Sequence, residues 1–372
     1  MCIRDSYRGE YVAEKDQRLR WLTGFEGSAG ICVLVKQRIG IFVDGRYTVQ
    51  AKNQTCPPIE IINWPKIKVT DWIMEVTNHG KIGFDPWLHS VDEIEQYKQS
   101  MENTEIIFQA TQNLVDLIWK DQPSAPTAKA FQYEDKFAGA TQSHKRKTLS
   151  KELRENGNSA AVITLPEGIA WLLNMRGGDV EHLPIVQAFA ILHSNNEVDI
   201  FVDKTKVENL AKHFGKGINI YNENDFLQHL RKLTGSVCID KSSLPFAAYQ
   251  SLLDSKATLD PRGDITALPK ACKNEIELSR ARDAHLIDAI AMCKFLHWLN
   301  SQPLGMLTEI DLVITLESFR SSNPELYDIS FETICASGPN AALPHYRVNY
   351  ESNRTIKNGD VIPVSYTHLT LP

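Results

Sequence analysis

No run of apolar residues in this sequence of 372 is long enough to cross a bilayer, so a membrane span is not expected. The first residues also lack the basic, apolar and small-residue sections of a signal peptide. No block of lysine and arginine stands out: 40 basic residues face 46 acidic ones for a net charge of −6, which leaves no footprint for a phosphate backbone and excludes nucleic acid as an expected partner. Cys-x-x-Cys pairs are absent. The closest histidine pairs, His79/His89 and His182/His193, are spaced too widely for a zinc site, so no self-contained metal centre is legible. Nor does any Gly-x-Gly-x-x-Gly follow a strand. Gly24, Gly27 and Gly30 precede one, which fits close backbone packing or positive φ better than nucleotide binding.

What is present is ordinary for a soluble globular protein of two or three domains, with 42% hydrophobic and 23% charged residues. The seven cysteines are scattered, odd in number and mostly set in apolar runs. They read as reduced, buried thiols and hence as a cytoplasmic protein.

Along the chain, strands are expected over 31–35 and 39–43, helices over 71–77 and 91–101, and a strand over 81–85, an α/β pattern. Residues 121–128, with Pro123 and Pro126, read as a linker. The pattern then restarts: a helix over 147–156, then strands over 160–164, 185–192 and 198–202. Trp21-Leu22 is echoed by Trp171-Leu172, and Gly80-Lys81-Ile82-Gly83-Phe84-Asp85 by Gly235-Ser236-Val237-Cys238-Ile239-Asp240, so the α/β domain is read as duplicated. The first copy has no counterpart of the helix and strand over 147–164, and its sheet is expected to be one strand short. Past the boundary at 261–269, a long helix over 274–299 places Ala284, Ile287, Ala291, Phe295 and Trp298 on one face. Thr308-Glu309-Ile310-Asp311 is a capping box with Asp in place of Glu, opening a helix to about Arg320.

Residues 331–336 alternate like a half-buried strand, and Ser337-Gly338-Pro339-Asn340 supplies a turn. A second short run, 341–346, carries His345, and Asn358-Gly359-Asp360 is a further turn. The expectation is a hairpin that presents an imidazole beside a glycine-containing turn. Most histidines in such places are structural.

The run Gly338-Pro339-Asn340-Ala341-Ala342-Leu343-Pro344-His345-Tyr346-Arg347, with Asn353-Arg354 and Gly359-Asp360, resembles the start of the catalytic domain of Xaa-Pro aminopeptidases, the aminopeptidase P family. Asn274, Glu277, Leu278, Arg282 and Ala284 resemble that family's helix-opening pattern. Trp21-Leu22-Thr23-Gly24-Phe25, Val43-Asp44-Gly45-Arg46-Tyr47 and Trp171-Leu172-Leu173-Asn174 are similar to its two accessory domains. The resemblance covers roughly residues 7–362 and matches the three-domain form. It implies an α/β fold class: two tandem creatinase-N-like α/β domains, 7–121 and 122–267, followed by the first part of a pita-bread (α+β) catalytic domain, 268–362. Residues 1–6 and 363–372 do not continue the pattern and resemble translated adapter sequence, so both are read as non-native tails of a gene cut at each end.

The implied reaction is removal of the N-terminal residue from peptides with proline second, by two divalent ions, usually manganese in that family, that hold an attacking hydroxide. His345 would bind substrate or move a proton. Arg46 and Arg347 are further substrate-binding candidates, although an Asp44–Arg46 ion pair and a salt-bridged surface arginine are the readings favoured by residue type. The first metal ligand of the family belongs near Ser365; no ligand is assigned in this chain, which is therefore expected to bind no metal and to be inactive by itself. A homodimer is implied for the full-length protein. Two alternatives stand: a prolidase or creatinase, against which the two tandem accessory domains argue, and a non-catalytic aminopeptidase-like peptide- or histone-binding protein, against which His345 argues.

Overall fold

The computed structural model describes residues 1–5, 9–303 and 305–365. Six strands build the first sheet: β1 (Cys2–Ile3), β2 (Ile31–Val35), β3 (Arg38–Val43), β4 (Ile59–Asn63), β5 (His79–Phe84) and β6 (Glu105–Ala110), in the order β4-β3-β2-β1-β5-β6. After the short β7 (Phe131–Gln132), a second sheet follows from β8 (Asn158–Ile163), with β9 (Met175–Arg176) returning to pair with β7. It continues through β10 (Phe189–His193), β11 (Val198–Phe201), β12 (Ile218–Tyr221), β13 (Thr234–Cys238) and β14 (Lys256–Asp260), in the order β12-β11-β10-β8-β13-β14. The two orders correspond strand for strand, and so do the senses of pairing: β1 and β8 each run antiparallel to one neighbour and parallel to the other. The duplication seen in the sequence is thus a duplication of topology.

The first sheet is not a strand short. Cys2–Ile3 fills the central place that the six residues of β8 fill in the second copy. Cys2 pairs with Val33 and Phe84, while Met1 and Leu34 exchange backbone hydrogen bonds of 2.6 and 2.9 Å. Arg4 reaches Glu93 at 2.8 Å and Asp5 accepts from the Leu19 amide at 2.6 Å. Both side chains of β1 are buried, which is why so short a segment holds its register.

The copies meet at equivalent corners. Matching Asp85 to Asp240 makes Val91 the counterpart of Phe246 and His89 that of Leu244. The Val91 amide donates to Leu244 O at 3.1 Å, and the Phe246 amide to His89 O at 2.9 Å. Asp92 N to Lys241 O (3.1 Å) and Ala247 N to Pro86 O (2.9 Å) are a second reciprocal pair, flanking the Ser90–Pro245 bridge. Two copies that each give and receive the same bonds are related by a local two-fold axis.

The third unit starts at the Glu275–Ser301 helix, whose Asn274/Glu277 capping box satisfies its first amides. Asn274 also donates to Ala138 O at 2.9 Å, and a side chain at Gly139 (φ 68°) would collide with it, so the second domain sets where this helix begins. The Glu309–Ser321 helix packs on it through Phe295, Leu312 and Leu316, with Arg320 bound to Asp288 at 2.7 Å. Of the face expected to be apolar, Ala291 and Phe295 are buried, whereas Ala284 is exposed. Leu286, Ile290 and Leu296 are 65%, 50% and 51% exposed. An apolar groove of about 520 Å³ opens between this helix and residues 319–327.

The expected hairpin around His345 does not form. Of residues 331–346 only β15 (Ile334–Cys335) is a strand, and it pairs with β16 (Val364–Ser365) rather than with 341–346. Gly338–Ala342 is a 3₁₀ turn, and 343–347 follows as irregular chain. Pro339 and Pro344 lack the amide protons a ladder needs, and Gly338 sits at φ 51°. Two other expectations shift: the helix begins at Gln142 rather than 147, and β10 at Phe189 rather than 185. Two backbone groups of this stretch bond to Asp179 instead: its amide donates to Ile185 O and its carboxylate accepts from the Gln187 amide at 2.7 Å.

Candidate functional site

His345 lies in a loop gathered around one buried carboxylate. Glu309, the first residue of its helix, is 0% exposed and accepts from the Ser337 amide (2.5 Å), Ser337 Oγ (3.0 Å), Asn340 Nδ2 (3.0 Å), the Tyr346 hydroxyl (2.9 Å) and the Arg354 amide (3.3 Å). A carboxylate at a helix N-terminus also has the favourable sense of the helix dipole. Arg354 closes the ring by donating to Ser337 O at 2.6 Å, over a glycine: a Cβ on Gly338 would stand 1.9 Å from its guanidinium. Burial first, and then the nearby Glu309 carboxylate, pushes the Tyr346 phenol up to about 12 and the Cys335 thiol likewise to about 12. In the sequence Thr308-Glu309-Ile310-Asp311 signals only a helix cap. The capping box is present, but the residue inside it is the one that holds the histidine loop.

The other side of the site comes from the first domain. Asp44 follows β3 in a turn where its Oδ1 accepts from the Arg46 amide at 2.9 Å, and its carboxylate holds the Arg46 guanidinium at 2.7 and 3.0 Å. These bonds hold the Asp44 carboxyl below its usual range and raise Arg46 further. The next residue, Tyr47, is 1% exposed, edge-on to Phe25 with centroids 5.6 Å apart and beneath the Arg46 guanidinium at 5.1 Å. Gly27 leaves room for it, since a Cβ there would stand 2.8 Å from the Tyr47 ring. Gly24 ends the Arg18–Thr23 helix at φ 77°, so both glycine readings, close packing and positive φ, hold.

These residues converge on His345. The Tyr47 hydroxyl lies 3.1 Å from Nδ1, with ring centroids 5.3 Å apart, and Arg46 Nη1 lies 3.5 Å from Nε2. Behind Tyr47, its hydroxyl meets Ser28 Oγ at 2.5 Å, and Ser28 donates to Glu10 Oε1 at 2.8 Å, itself 3.6 Å from Nδ1. Asp44 and Arg46 therefore form an ion pair and also face His345, so the two readings of Arg46 are compatible. In the second copy the same turn, with Asp203 accepting from Thr205 N, leads instead to Lys206, buried against Asp179 at 2.8 Å.

Arg347 pairs with Glu332 at 2.8 Å, both largely exposed. Because 343–347 is no strand, strand alternation does not place it on the His345 face. Residue 365 pairs with Ile334 in β16, and 366–372 lie outside the described residues. Among the described residues no group of three or more His, Cys, Asp or Glu could hold a metal ion, so a two-metal centre does not fit the donors on hand. No helix is long and apolar enough to cross a membrane, among the same residues. Sequence reading missed Tyr47 as a partner of His345, along with Ser28 and Glu10. Asp44-Gly45-Arg46-Tyr47 was the signal available.

Residues 11–117 and 121–277 each match the creatinase/prolidase N-terminal domain, and residues 279–368 match metallopeptidase family M24. Two creatinase-N domains and part of an M24 domain therefore make up the chain. Aminopeptidase P2 of Arabidopsis thaliana is 32% identical over 390 residues, covering 94% of this chain and 55% of the relative. Xaa-Pro aminopeptidase 2 of Sus scrofa is 28% identical over 380 residues, 96% of this chain and 55% of the relative. Among solved structures, the X-prolyl aminopeptidase of Caenorhabditis elegans, described as a cytosolic enzyme with a di-nuclear active site, superposes with a TM-score of 0.90 at 28% identity, over 97% of this chain and 62% of that one. The chain thus spans little more than half the length of the curated relatives it matches, and its architecture is two creatinase-N domains followed by part of a pita-bread domain.

Proposed function

We infer that this chain is the accessory region and the first part of the catalytic domain of an Xaa-Pro aminopeptidase, which removes the N-terminal residue from peptides with proline second. The observation that carries the reading is the likeness over 97% of the chain, at a TM-score of 0.90, to an X-prolyl aminopeptidase. His345 fits a substrate-site role, since a buried carboxylate orders its loop and the accessory domain faces both ring nitrogens. Neutral imidazole can accept or hand on a proton near pH 7. Arg46, held by Asp44 beside that ring, is the better placed of the two arginines to meet a substrate carbonyl or carboxylate; Arg347 is the weaker candidate. The divisions at 121/122 and 267/268 belong to the same proposal.

Two divalent ions, with manganese the proposed pair, would supply the attacking hydroxide. Among the described residues no group of three or more His, Cys, Asp or Glu could hold them. A homodimer, to be read by sedimentation, is proposed for the longer protein. A cytoplasmic setting is proposed from the seven free thiols. The test is to express the gene extended to the length of its relatives and to assay it with Mn²⁺ on peptides carrying proline second or third. Cleavage before proline only in the second position is expected; failure to cleave either peptide, or cleavage of both, would overturn the reading.

A further inference from the structure

We propose that the first α/β domain fixes His345 as its Nδ1–H tautomer, through Glu10, Ser28 and Tyr47, so that the resting imidazole offers a lone pair at Nε2. The hydrogen bonds admit one direction. Glu10, ionised, can only accept, so Ser28 gives it its single proton at 2.8 Å. The Ser28 oxygen can then only accept at the 2.5 Å contact, so the Tyr47 hydroxyl donates to it. The Tyr47 oxygen is left to accept at 3.1 Å, and His345 Nδ1 must carry the proton. The other side of the ring agrees independently: Arg46 has donors only, so Nε2, 3.5 Å away, is the acceptor. Tyr47 is buried and packed on Phe25, and it holds the string in one geometry.

The catalytic consequence deepens the proposed function and rests on it. With Nδ1–H fixed, Nε2 can accept a hydrogen bond or a proton from a peptide substrate but cannot donate one until it is protonated. Tyr47, Ser28 and Glu10 act through His345, so they are positioning residues. The accessory domain then belongs to the site's chemistry as well as to its walls.

The test needs no turnover. In the chain extended to the length of its relatives and labelled with ¹⁵N in its histidine rings, with His345 assigned by His345→Gln, long-range ¹H–¹⁵N spectra at neutral pH report which nitrogen is protonated. The Nδ1–H form is expected to dominate by about fivefold, as a net hydrogen bond of about 1 kcal/mol provides. Ser28→Ala frees the Tyr47 proton to turn toward Nδ1, and Tyr47→Phe removes the acceptor while keeping the ring. Both are expected to raise the Nε2–H form severalfold, with the other histidine signals unmoved. An Nε2–H form in the unaltered chain, or a tautomer unmoved by both substitutions, overturns the proposal. Turnover by His345→Gln in the extended enzyme reads the role of His345 separately. Unimpaired turnover there sinks that role, whereas the spectra alone decide the tautomer.

Discussion

The Tyr47 hydroxyl and the His345 ring, 298 positions apart in the chain, meet at 3.1 Å across two domains. The contact makes the corner after β3 part of whatever His345 does, and it separates packing from hydrogen bonding at one side chain. Tyr47→Ala is expected to destabilise the first domain by about 3–5 kcal/mol, the usual cost of an emptied aromatic site. Tyr47→Phe should cost only about 1 kcal/mol. Urea unfolding of the two variants checks the difference; equal losses would mean that the hydroxyl, rather than the packed ring, stabilises this corner.

Glu309 should be the most sensitive single residue of the histidine loop. Glu309→Gln puts an NH₂ where donors converge, leaving buried donors facing a donor, at about 2–4 kcal/mol. Amide exchange at Ser337 and Arg354 is expected to accelerate at least tenfold while the two sheets keep their protection. Unchanged exchange at both amides would show that the loop is ordered by something else.

Two acidic groups give the first domain opposite pH dependences. Burial disfavours the charged Glu93, but Arg4, His89 and Tyr97 outweigh it and bring its carboxyl down to about 2. A lowered native value contributes stability that is complete above the unfolded value and is lost as pH falls from about 4.5 toward 2. Asp5 is the reverse: burial pushes it up to about 6, so its contribution is complete below the ordinary 3.8 and is lost as pH rises to about 6. Asp5→Asn, whose Oδ1 can still accept from Leu19 N, is expected to raise stability at pH 7 by on the order of 2 kcal/mol and to leave it unchanged at pH 3. Thermal unfolding at both values checks the sign.

The third unit should be the weak one. Leu286, Ile290 and Leu296 remain in solvent along one helix, and the groove beside it is open. Residues 1–372 alone are expected to lose the region beyond 268 first in limited proteolysis, to associate at micromolar concentration, and to leave Xaa-Pro peptides uncleaved with Mn²⁺ added. A protease-resistant monomer across 268–360, or measurable turnover, would contradict this.

Much of the fold could be read in advance because its signals are local. Asn274 with Glu277 and Thr308 with Asp311 announced the two helix starts, and the echoed Gly-to-Asp strands announced the duplication. β1 escaped notice since two residues carry no period, and its place depends on Val33 and Phe84 lying on either side. The hairpin expectation failed because Pro339 and Pro344 outweigh the alternation of 331–336. His345 was legible as a candidate. Its partners were not, because nothing near position 345 encodes the approach of Ser28, Arg46 or Tyr47; that depends on how three units dock.

The reciprocal bonds between 86–92 and 241–247 give the molecule the contact of a symmetric dimer within one polypeptide. Such a contact is unimolecular: dilution cannot separate the halves, because the linker keeps each at a fixed effective concentration of the other. It also lifts the rule that a dimer must change both sides at once. One copy keeps a buried Lys206–Asp179 pair where the other sets an equally buried Tyr47 with its hydroxyl toward His345, so a single molecule presents two unlike faces from one repeated topology.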